Sequence, residues 1–150
     1  DEADPALGFR SHLAHEQSFL QLLQHLGVTR QEMSKEVPHA AVQAFNLALL
    51  GACSMEAPGF AFCALGMIEY AFADISAAIG QVIVERGWLV DGELVHYSLH
   101  AAIDKRHAAE LFEAAERWAQ SADLSSSMER GLQFGHYIFN RLFIDIGNLA

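Results

Sequence analysis

The apolar positions of this chain recur at helical spacing. From Leu7 to Leu26, the residues Phe9, Leu13, Phe19, Leu20, Leu23 and Leu26 form one stripe, and Gly27 follows as a stop signal. His12 lies on that stripe, with His15 beside it. Thr29 and Glu32 have the spacing of a capping box and open a second helix. That helix restarts at Pro38 and continues through Ala41, Val42, Phe45, Leu47 and Leu50. Gly51 to Pro58, rich in small residues, reads as a break. A long helix is predicted from about Gly59 to Arg86, ended by Gly87. Before its last turn it carries only Glu69 and Asp74 as charges, so it should be buried on most sides. A turn over Gly87–Gly92, with Asp91 as candidate cap, precedes a fourth helix over about Glu93–Ala119. Ser121–Ser127 reads as a polar loop, with Asp123 or Ser125 capping a last helix that reaches about Ile146. No strand-like alternation, hairpin signal or internal repeat is present. The expected fold is all-α: one helical domain over residues 1–150, built as a bundle with short connections.

Composition narrows the partners. A net charge of −10 with two lysines argues against nucleic acid, whose affinity rests on basic contacts to phosphate, and against an anionic membrane surface. Bound cations would answer part of that acidity. The longest apolar run, around Phe60–Ile68, is short of a membrane span, and no signal-peptide pattern is visible. Cys53 and Cys63 form neither a CxxC motif nor a disulfide framework, which points to a reducing, cytoplasmic setting. The chain does not begin with Met, so a missing natural N-terminus is expected.

The candidate chemistry centres on the fourth helix. His100, Asp104 and His107 stand at i, i+4 and i+7, within about 60° of one another on a helix. Leu99, Ile103 and Leu111 flank them, so this face should point inward. Two imidazoles and a carboxylate converging on an interior point are costly to bury without a partner, and a transition metal would be one. His96, one turn earlier, is read as a neighbour rather than a ligand. On the long helix, Glu69 is surrounded at same-face positions by Phe62, Leu65, Gly66, Phe72, Ala73 and Ser76. A carboxylate there should be desolvated and neutral, or bound to a cation. Carboxylates with imidazoles suit Fe, Mn or Zn better than Cu(I), and two cysteines exclude an all-thiolate zinc site. Two Glu-x-x-His pairs, Glu36/His39 and Glu93/His96, compete as a ferritin-like signature. Pro38 inside the first pair and the helix-start position of the second argue against them.

With these features the chain resembles the haem-oxygenase-like di-iron oxidases and oxygenases, iron-containing redox enzymes. The likeness is carried by DEADPALGFRSHLAH, by ALGMIEYAFADIS around Glu69, and by HYSLHAAIDKRHAAEL around His100, Asp104 and His107. The resemblance implies two iron ions, O2 as co-substrate and six ligands: Glu2, His12, Glu69, His100, Asp104 and His107. His15 is a rival to His12, and Glu16 to Glu2. It also implies helices ahead of the first ligand, so the expected fold is a haem-oxygenase-like bundle lacking its N-terminal helices, or a shortened member. A homodimer would cover the face so exposed. The implied reaction is N-oxygenation, or C–H or C–C oxidation, of a small amine, amino acid or related substrate. Phe62, Tyr137 and Arg141 are the candidate substrate contacts, with Arg141 either clamping a carboxylate or pairing with Asp145. Two alternatives stand beside this reading. One is a metal-free enzyme resembling the thiaminase-type or quinone-cofactor-synthesis members of the same broad fold, with Cys63 as nucleophile. The other is a metal-storing helical module.

Overall fold

The computed structural model describes residues 15–118 and 124–149, and among them every regular element is helical. The α-helices are α1 (His15–His25), α2 (Arg30–Met33), α3 (Ala40–Met55), α4 (Pro58–Glu85), α5 (Val95–Trp118) and α6 (Leu124–Gly147), with a 3-10 turn at Asp91–Glu93. The all-α expectation is met. Gly27 and Gly87 end their helices with positive φ, where a side chain would be strained.

The capping box forms as the sequence spells it. The Thr29 hydroxyl accepts from the Glu32 amide at 3.2 Å, and the Thr29 amide donates to Glu32 at 2.8 Å. The helix it opens is only four residues long. The chain re-enters helix at Ala40, with His39 as N-cap accepting from the Ala41 amide through Nδ1. Glu36 and His39 therefore share no helix, and that Glu-x-x-His pair is not assembled. The expected break at Gly51–Pro58 is corrected: α3 continues through Gly51 to Met55. Small residues weaken a helix without forcing an exit, and the chain leaves only at Glu56, ahead of Pro58. Likewise α6 starts at Leu124, so Ser125–Ser127 lie in its first turn and not in a loop. Asp123 lies outside the described residues.

Two compact units emerge. Among the described residues, the first joins residues 15–36 with Phe72–Ile103, and the second joins Val37–Ala71 with residues 104–118 and 124–149. In the first, Leu22, Ile83, Leu89 and Leu94 form the core, with Ile79 and Tyr97 packed on it. In the second, Ala52, Phe60 and Ala64 meet Phe134, and Phe45 packs on Phe139. Here α6 presents Gly131 and Gly135, one turn apart, to the backbone of Phe60 and Ala64 on α4. A Cβ on either glycine would collide with a carbonyl oxygen, so hydrogen is the only substituent this seam accepts.

The expectation that α4 is buried on most sides is corrected. Cys63, Ala64, Ala73, Ser76 and Ile83 are buried, but Tyr70, Val82 and Val84 are exposed. By length and composition its 28 residues would suffice to cross a membrane, whereas the short run at Phe60–Ile68 would not. A core helix of a bundle meets the same measure.

Candidate metal centre

In the second unit, α4 and α5 bring together Glu69, Asp104 and His107. Their ligand atoms all lie within 4.8 Å of one another. The His107 Nδ1 is 3.9 Å from Glu69 Oε2 and 3.8 Å from Asp104 Oδ1. These spacings are too long for hydrogen bonds. They fall between the roughly 3.0 Å and 4.2 Å that cis and trans ligands span around one ion at bonds of about 2.1 Å. Asp104 is fully buried, whereas the Glu69 side chain is 37% exposed. The expectation of a desolvated Glu69 is therefore corrected. Apolar neighbours on its own helix do not seal the side chain, which reaches past them towards His107. The residues following two of these ligands clamp the helices together. Lys105 Nζ donates to the Tyr70 carbonyl at 2.9 Å and lies 3.5 Å from the centre of the Tyr70 ring.

In the first unit, α1 and α5 bring together His15, His96 and His100, again with ligand atoms within 4.8 Å of one another. The three rings meet edge to face, with centroids 4.6, 4.7 and 5.3 Å apart. Phe72 of α4 packs on His100, and Phe19 and Tyr97 pack on His96. Burial, followed by the neighbouring His100 and His15, lowers the His96 pKa to about 4, so its ring is neutral near pH 7. Ser18 sits behind it, with Oγ 3.1 Å from the His15 carbonyl and 3.0 Å from His96 Nδ1.

Glu2 and His12 lie outside the described residues. Phe62 is half-buried on α4. Tyr137 and Arg141 line a cavity of about 350 Å³ between α3 and α6, floored by Phe45, Phe134 and Ile138. Arg141 is already paired with Asp145 one turn on, through Nε at 3.0 Å and through a second contact from its terminal nitrogen. Cys63 is buried and its thiol pKa is pushed up by that burial, which is unsuited to a nucleophile. In the sequence His96 reads as a helix neighbour, one turn before the metal-type motif. Its spacing of i−4 to His100 was the signal available.

The donor sets fit a metal: one offers two carboxylates and an imidazole, the other three imidazoles, all oxygen or nitrogen donors suited to iron. Among curated proteins and solved structures, none matches the chain. A family model described as iron-containing redox enzyme, of haem-oxygenase-like type, matches residues 7–136 and so spans α1 to α5 and half of α6. The chain belongs to the iron-containing redox enzyme family of haem-oxygenase-like fold, and it is an oxidoreductase of that family.

Proposed function

We propose that the protein is a non-haem di-iron oxidase or oxygenase that activates O2 against a small amine, amino acid or related substrate. The observation that carries this reading is the convergence of Glu69, Asp104 and His107 from two helices, with Asp104 fully buried. Asp104 and Glu69 supply two negative charges to a divalent ion, and His107 completes the set as a neutral donor. The second ion is assigned to His100 and a histidine of the first helix, either His15 or His12. Glu2 belongs to the proposal as a ligand from outside the described residues. Bound iron would supply the redox chemistry, activating O2 for transfer to the substrate or for hydrogen removal from it. Phe72, half-buried against His100, would keep bulk water from that donor.

Substrate contacts are assigned to Phe62, Tyr137 and Arg141. A substrate carboxylate at Arg141 would compete with Asp145 for the guanidinium. A homodimer belongs to the same proposal, because it would cover the exposed Leu47, Leu50 and Met55 of α3. The test is anaerobic loading with Fe(II), iron quantification per chain, and exposure to O2 with a panel of amines and amino acids. Two irons per chain with substrate-dependent O2 consumption support the reading. Failure of the anaerobic protein to take up iron overturns it.

A further inference from the structure

We propose that His15, His96 and His100 form a three-imidazole metal position, with His96 coordinating through Nε2 and Ser18 holding it in the required tautomer. This goes beyond the reading above, which it rests on for the presence of a metal, by making His96 a ligand where that reading used His100 with one first-helix histidine.

The tautomer follows from counting protons. A serine hydroxyl has one proton to donate. Ser18 Oγ lies 3.1 Å from the His15 carbonyl, which can only accept, so that proton is committed there. With the proton so placed, the same oxygen, 3.0 Å from His96 Nδ1, acts as acceptor, and the proposal puts the hydrogen on Nδ1. Nε2 is left with its lone pair. An imidazole that donates through one nitrogen and ligates through the other is the usual arrangement at metal sites. Ser18 is 1% exposed, so water does not compete for either contact.

The ring geometry agrees. With a metal–nitrogen bond of about 2.1 Å, each ring centre lies roughly 3.2 Å from the ion. Ring centres are then about 4.6 Å apart for ligands at 90° and about 5.3 Å apart at tetrahedral angles. The observed separations are 4.6, 4.7 and 5.3 Å, with interplanar angles of 69°, 74° and 88°. The candidate ligand nitrogens lie within 4.8 Å of one another. Among the described residues, this position has imidazoles alone as donors. It therefore suits a borderline divalent ion and differs in kind from the Glu69–Asp104–His107 set.

The experiment is an anaerobic Co(II) titration of the metal-free full chain, followed by visible absorption, for wild type, His96→Asn, Ser18→Ala and Glu69→Gln/Asp104→Asn. The proposal expects two ions in wild type and loss of one, with its absorption band, in His96→Asn. It expects about a 10- to 100-fold weaker affinity for that same ion in Ser18→Ala, where the ring stays but its orienting partner is gone. In the Glu69→Gln/Asp104→Asn chain, one ion should remain, with the band that His96→Asn removes. Survival of that ion alone supports the proposal even where the carboxylate set binds nothing. Two ions with an unaltered spectrum in His96→Asn overturn it, leaving the three rings an aromatic cluster. So does a single wild-type ion lost with Glu69 and indifferent to His96. If His96→Asn fails to fold, Ser18→Ala decides: unchanged affinity for both ions overturns the proposal.

Discussion

Asp104→Asn separates metal binding from folding. The substitution keeps the side chain's shape and removes its charge at a fully buried position, 3.8 Å from His107 Nδ1. An ion that binds only the folded chain stabilises it by RT ln(1 + [L]/Kd), or about 2.7 kcal/mol at a hundredfold excess over Kd. The entropy of unfolding is about 2 cal/mol/K per residue, so a chain of 150 residues gains or loses roughly 0.3 kcal/mol per degree near its midpoint. Saturation of the Glu69–Asp104–His107 position should therefore raise Tm by about 9 °C. The assay is differential scanning calorimetry of the metal-free chain with and without Mn(II), under nitrogen. Wild type should show the full shift. Asp104→Asn should unfold within about 3 °C of wild type when metal-free, a change of about 1 kcal/mol, and lose most of the metal-induced rise. An Asp104→Asn chain that keeps the whole shift would show that this carboxylate holds no ion.

Two further outcomes follow from the packing. Gly135→Ala should destabilise the chain by about 1–3 kcal/mol in urea denaturation, because the new methyl meets the Ala64 carbonyl across the seam; stabilisation, as helix propensity alone would give, would refute the close approach. Of the two thiols, exposed Cys53 should react with a maleimide in the native protein at pH 8. Cys63, buried and with its pKa raised, should react only on unfolding; mass spectrometry of labelled peptides reads both.

The sequence made the long helices legible where apolar spacing, caps and stop glycines agreed, as at Thr29–Glu32, Gly27 and Gly87. Small residues mislead as breakers. Gly51, Ala52, Cys53 and Ser54 stay helical because their low propensity costs little against a helix already formed before them. Glu69, Asp104 and His107 were readable as candidates, since two of them share one face of α5 and the third is a rare charge on α4. The exposure of Glu69 was not, because a helix's own neighbours say nothing about the gap between helices. His15 and His96 came together through the packing of α1 on α5, a contact no spacing within one helix encodes. The seam at Gly131 and Gly135 was invisible to an apolar count, because what it uses is the absence of a side chain.

Iron is proposed to sit on these two donor sets. Crystals grown anaerobically with Fe(II) and measured on both sides of the iron absorption edge test it most directly. One anomalous peak should fall among Glu69, Asp104 and His107 and a second among His15, His96 and His100. Iron-specific density elsewhere, or at neither set, would contradict that placement.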